Sequence, residues 1–209
     1  MTGAEQRESA KMPSQTEPKH TEKAASLPQF SLRQLGMLVL YCSMSVLFTA
    51  TIVGFWFTRL TAENYRAPGL PDMPRGLWLS TLLIALTSLV IWQAQLAIKR
   101  NLLETLKRWL YAAGVLASLF LLTQTSNWFV MRPPSGSNSL YLATFFILTG
   151  VHALHVIGGY VPLGFVIYHA HSRHYSSSSH EGLTLCAQYW HYLGAVWLVL
   201  VTMLYLGNR

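Results

Sequence analysis

LYLATFFILTGVHALHVIGGYVPLGFVIYH, residues 140–169, decides how the rest of the chain is read. It holds no Asp, Glu, Lys or Arg. Thr149, His152, His155 and Gly159 are spaced three, three and four apart, so on a helix they form one narrow stripe of polar and small residues. The remainder is mostly Leu, Ile, Val and Phe. A lipid-soluble rod with one polar seam should turn that seam toward protein. The stretch therefore predicts a membrane helix against which the other helices gather, with a function that lies in packing rather than chemistry.

The composition agrees with a membrane protein. The 209 residues are 52% hydrophobic and 11% charged, against about 25% charge in soluble domains. The net charge of +7 is spread between apolar blocks, where Lys and Arg set topology, so nucleic acid is not the expected partner. Cys42 and Cys186 each lie inside an apolar block without metal-ligand spacing, and buried, reduced thiols are expected.

Residues 1–34 are polar, carry mixed charge and three prolines, and lack the apolar core of a signal peptide. Such a segment cannot bury enough surface to offset its ordering entropy, and it reads as a disordered tail. Residues 35–206 form a single membrane domain with spans at 35–58, 77–98, 109–130, 140–169 and 183–206, followed by a short end at 207–209. The first span is about 36 Å long as a helix, against about 30 Å of hydrocarbon. The fold class is an all-α, five-transmembrane-helix bundle with its termini on opposite sides. One set of connections holds Arg33, Lys99, Arg100, Lys107, Arg108 and Arg173; the other holds Arg59, Arg66, Arg75, Arg132 and Arg209. That bias puts the N-terminus in the cytoplasm and the C-terminus outside.

All eight carboxylates lie outside the spans, whereas proton relays and ion pumps place an acid within the bilayer. A self-contained proton or cation transporter is not expected. His152, His155 and His191 invite a haem reading, but axial ligation needs two imidazoles on facing helices at one depth. With level helix ends, His155 and His191 differ by about 9 Å in height. His152 and His155 alone make an incomplete zinc or copper site. The spacing instead predicts histidines that hydrogen-bond across helices to polar partners such as Gln188 or Thr149. His169, His171, His174 and His180 read as a solvated loop, and the polar run Thr123–Asn127 as helix-to-helix hydrogen bonding. No phosphate loop, dinucleotide fingerprint, nucleophile elbow or HExxH is present.

Two segments carry a family resemblance. Phe145–Val156, FFILTGVHALHV, resembles the "FFxLTGxHxxHV" signature of the cytochrome c oxidase (haem-copper terminal oxidase) subunit III family. Tyr189-Trp190-His191-Tyr192, followed by Val196-Trp197-Leu198, is similar to that family's "YWHF" and "VWL". Leu35-Gly36-Met37 and Leu77–Thr81 also fit, in the right order, and the likeness spans residues 35–206. It implies a subunit without haem or copper of its own, packed beside catalytic subunit I with subunit II in the same complex, carrying structural phospholipid in a bacterial cytoplasmic membrane. The expected helix-packing, subunit I or lipid interface comprises Thr149, His152, His155, Gly159, Gln188, Tyr189, Trp190, His191 and Trp197; no catalytic or metal residue is expected. The five-helix form lacks the first two of the family's seven helices. The family's acidic positions fall on Met44, Thr184 and Gly194, so the roles of those acids do not carry over. An accessory protein of nitric oxide reductase and a haem-bearing redox protein are the alternatives.

Overall fold

A computed structural model describes residues 32–63, 65–66, 70–132, 139–172 and 181–208. Among these residues the regular structure is entirely helical: α1 (Leu32–Thr61), α2 (Gly76–Lys99), α3 (Leu103–Val130), α4 (Leu140–His171) and α5 (Glu181–Gly207). All five are long and apolar enough to cross a membrane. Residues 1–31, most of the expected tail, lie outside the described residues, as do His174 and His180. Leu32–Gln34 belong to α1.

The helices overrun the apolar blocks where charge can stay at the surface. α3 begins at Leu103 rather than at residue 109. Its first turns carry Glu104 and Lys107, which pair at 2.7 Å along the helix. The link from α2 is correspondingly short. Asn101, at φ 55°, takes the left-handed conformation that ends α2. Its N–H donates to Ile98 O at 2.9 Å, and Leu102 N–H reaches Ala97 O at 2.9 Å, which is the Schellman arrangement.

Four helices close a ring: α2 packs on α3, α3 on α4, α4 on α5, and α5 back on α2. α1 stands outside and packs only on α4 and α5. This position corrects the expectation for Cys42, which lies on the outward face of α1 and is exposed, while Cys186 is buried between helices. Large apolar side chains such as Val46, Phe57, Leu122, Leu154 and Phe165 face outward, as helices in hydrocarbon require.

One end of the bundle is tied together by polar contacts. Arg59 Nε donates to the Gly207 carbonyl at 2.8 Å, at the negative end of α5. The Arg59 guanidinium also lies 5.3 Å over the Tyr65 ring, and the Tyr65 hydroxyl shares a hydrogen bond with Thr144 at the start of α4, 2.9 Å away. Burial pushes the Tyr65 phenol above its ordinary pKa, with the Thr144 bond and the Arg59 charge acting the other way. Arg66 donates to Asn208 Oδ1 at 3.1 Å, pairs with Asp72 and sits 5.4 Å over Tyr141. These contacts gather the end of α1, the start of α4 and the end of α5 on one side, so the first and last described residues lie at opposite ends.

Substituting Asn101 tests the α2–α3 link. Asn101→Gly should leave unfolding in detergent nearly unchanged, whereas Asn101→Val should lose about 1–2 kcal/mol, because a β-branched residue resists the left-handed region. Equal stability of the two variants would contradict the described turn.

Candidate functional site

The seam of α4 is where the five helices meet. Thr149 and His152 are wholly buried and Gly159 is buried, while His155 is half-buried at its edge. Each seam residue meets a different neighbour. Trp128 of α3 donates its indole N–H to Thr149 Oγ1 at 2.9 Å, and Thr149 in turn donates to the Phe145 carbonyl at 2.8 Å. His152 lies among rings: Trp197 of α5 at 4.9 Å, Phe120 of α3 at 5.7 Å and Phe48 of α1 at 6.1 Å. Phe120 and Trp197 stand edge to face at 4.9 Å. Trp197 also donates its indole N–H to Thr81 Oγ1 of α2 at 3.2 Å. His152, Phe120 and Trp197 thus fill the middle of the helix ring, and through them all five helices are joined.

Gly159 lets α5 come close. A Cβ at this position would sit 3.0 Å from both the Trp190 and the Tyr189 rings. One turn away, the Tyr189 hydroxyl donates to the His155 carbonyl at 2.8 Å. Trp190 is buried edge-on to Tyr160 at 6.2 Å. Pro162 lies inside the same helix without ending it.

Of the expected cross-helix hydrogen bonds from the histidines, His191 makes one, to Ser88 of α2, and none runs to Gln188 or Thr149. Gln188 is exposed, because Cys186, Ala187, Tyr189 and Trp190 define the buried arc of α5 and Gln188 points directly away from it. Thr149 is occupied by Trp128. Neither ring nitrogen of His152 has a hydrogen-bond partner. His155 Nδ1 bonds the Val151 carbonyl of its own helix at 2.8 Å, and His191 Nδ1 bonds Ser88 of α2. His169 and His171 likewise bond carbonyls one turn back.

Within the polar run of α3, Gln124 and Asn127 turn inward and meet Ser80 of α2 at 3.5 Å and 3.3 Å. Thr123, Thr125 and Ser126 instead bond carbonyls of their own helix. Sequence reasoning missed Ser80, Thr81 and Ser88. Their recurrence along one apolar helix was the available signal: Ser80 meets Gln124 and Asn127, Thr81 meets Trp197, and Ser88 meets His191.

Among the described residues, no group of three or more His, Cys, Asp or Glu side chains is placed to hold a metal ion. Glu63, Asp72, Glu104 and Glu181 lie at helix ends or in connections. Met44 is buried in the core. Outside the seam, a largely apolar groove of about 880 Å³ runs between α1, α4 and α5. Met37, Leu40, Pro162, Phe165 and Leu185 line it, with His169 and Glu181 toward one end.

The family "Cytochrome c oxidase subunit III" matches residues 29–208 of this chain. The chain belongs to the cytochrome c oxidase subunit III family. It is 27% identical to cytochrome c oxidase subunit 3 of Thermostichus vulcanus over 85% of this chain and 88% of that protein. Against the protein of the same name from Synechocystis sp. it is 27% identical over 84% of this chain and 76% of the relative. A probable cytochrome c oxidase subunit 3 of Nocardia farcinica is 23% identical over 88% and 93%. The fold and the seam thus belong to a multi-pass subunit of an oxidase complex.

Two substitutions in this subunit III probe the seam. His152→Ala should cost about 3 kcal/mol through the cavity left among the rings. His152→Phe should stay within about 1 kcal/mol of wild type, since it keeps the ring packing and removes two unpartnered nitrogens. Comparable losses in chemical or thermal unfolding would show that the nitrogens do have partners. Gly159→Ala should cost about 1–3 kcal/mol because the Tyr189 and Trp190 rings must both give way; an unchanged melting temperature would contradict the close approach.

Proposed function

We propose that this chain is a subunit III that holds no haem or copper and braces the catalytic subunit I of a proton-pumping haem-copper oxidase. Subunit II belongs to the same complex, which sits in a bacterial cytoplasmic membrane. The N-terminus of the chain is cytoplasmic and its C-terminus is outside. Oxygen reduction and electron transfer take place in the partners. Residues 35–206 act as one unit: Thr149, His152, His155, Gly159, Tyr189, Trp190 and Trp197 fix α4 against its neighbours, and His191 fixes α5 against α2. The outward faces, Gln188 among them, meet subunit I or lipid.

The observation that carries this reading is the packing of the seam. Its wholly buried His152 is surrounded by aromatic rings and His155 bonds a backbone carbonyl, while His191 of α5, outside the seam, bonds Ser88 of α2. Such groups fix helices and offer no chain of exchangeable protons through the bundle. The largely apolar groove beside α1 supports bound phospholipid, because acyl chains fit its walls and the polar groups of His169 and Glu181 lie toward one end.

Purification from the native membrane tests the proposal. The chain should be recovered with a haem-bearing subunit, and a reduced-minus-oxidised spectrum of the separated chain should show no haem band. The His152→Phe and His191→Phe complexes should keep oxygen reduction within about twofold of wild type if fully assembled. Stoichiometric iron on the separated chain, or loss of catalysis in an intact variant complex, would refute it.

A further inference from the structure

A polar pocket of about 360 Å³ lies at the end of the bundle where α1 and α5 finish. Arg59, Glu63, Tyr65, Arg66, Gly207 and Asn208 line it. Gly207 is what lets α5 close on α1 here, because a Cβ at this position would run into the Phe55 ring.

Two opposite charges line this pocket without pairing with each other. Arg59 is half-buried. Of its five N–H groups, Nε–H donates to the Gly207 carbonyl, which leaves both Nη groups as donors. The Tyr65 ring lies against one face of the guanidinium. Glu63, four residues further on, is exposed and makes no ion pair among the described residues. Arg66 is engaged by Asp72 and by Asn208 Oδ1. With Oδ1 taken, the Asn208 amide has Nδ2–H to donate.

This arrangement selects its ligand by charge. A simple anion would satisfy Arg59 and be repelled by Glu63, and a simple cation would do the reverse. A zwitterion suits both. Val53, Phe57 and Leu60, spaced four and three apart, form an outward apolar stripe on α1 that runs up to Arg59. A zwitterion that carries acyl chains can therefore lay them along the stripe while its head sits at the helix end.

We infer that this pocket binds the headgroup of an ethanolamine phospholipid. The phosphate oxygens accept from the Arg59 Nη groups, whose fork suits phosphate, and from Asn208 Nδ2. The ammonium donates to the Glu63 carboxylate, which a quaternary ammonium could not do. The site lies at the opposite end of the bundle from His169 and Glu181, and it needs only the membrane fold, not subunit I.

The experiment places a photoreactive benzoylphenylalanine at Leu60 in the full chain. The complex is purified from its native membrane and reconstituted in vesicles of equal phosphatidylethanolamine and phosphatidylglycerol. On irradiation the ethanolamine lipid should couple roughly threefold more than the glycerol lipid, the effect of one exposed ion pair. Glu63→Gln should bring the two lipids level, whereas Glu104→Gln, at the other end of the bundle, should leave the preference intact. The same probe at outward-facing Leu122 of α3 should couple to both lipids equally. Equal coupling at Leu60 in the wild-type chain, or a preference that survives Glu63→Gln, would overturn the inference. So would loss of the lipid adduct on adding an equal amount of water-soluble glycerophosphoethanolamine, which would make the occupant a soluble molecule. Each of these leaves the subunit III reading standing, since the complex is recovered before the lipids are compared.

Discussion

The bundle depends on how an imidazole is held without hydrogen bonds. His152 is wholly buried with Phe48, Phe120 and Trp197 around it, and neither of its nitrogens has a partner. A polar group in that state is destabilising by itself, so the surrounding contacts have to outweigh it. They include an edge-to-face pair between Phe120 and Trp197 and the indole hydrogen bond from Trp197 to Thr81. Because these partners come from α1, α2, α3 and α5, no helix can shift without disturbing the same cluster. In a membrane, where burial of apolar surface does not drive helices together, packing and a few interhelical hydrogen bonds must do so.

The same economy recurs away from the seam. The subunit's polar groups are placed in pairs that satisfy one another across a helix boundary: Trp128 with Thr149, Tyr189 with the His155 carbonyl, Ser45 with Tyr192 at 2.8 Å, Ser118 with Tyr160 at 2.8 Å. Each pair joins two helices, and no two of these pairs share a side chain. Ser80 of α2 instead meets two partners, Gln124 and Asn127 of α3. The four described acids sit at helix ends or in connections, and Met44 is buried in the core.

Much of this was legible in the sequence because the signal was periodic. Uncharged blocks separated by charged connections gave five spans, and the three-and-four spacing from Thr149 to Gly159 gave the inward face of α4. The partners were not legible. Choosing Gln188 for the histidines required knowing how α5 is rotated, and its apolar residues occur all round the helix, so periodicity alone does not fix that rotation. The burial of Cys186 and exposure of Cys42 have the same origin: both sit in apolar blocks, and only the arrangement of helices distinguishes a face against protein from a face against lipid. Charged residues misplaced the start of α3, since Glu104 and Lys107 pair on the helix surface instead of ending it.

The position of α1 explains why the bundle leaves its flanks open. The ring of α2, α3, α4 and α5 is complete without it, so α1 covers only the side formed by α4 and α5. The groove beside α1 and the groove between α2 and α5 both border α5. α5 therefore does two jobs with one helix. Tyr189, Trp190 and Trp197 bind it to the interior, while Leu185, Gly194, Ala195 and Leu198 line grooves that the described residues leave open. Small side chains beside a polar pair on an outer face make sense when the missing atoms belong to other molecules of the membrane. That is the physical form expected of a subunit rather than of a protein that works alone.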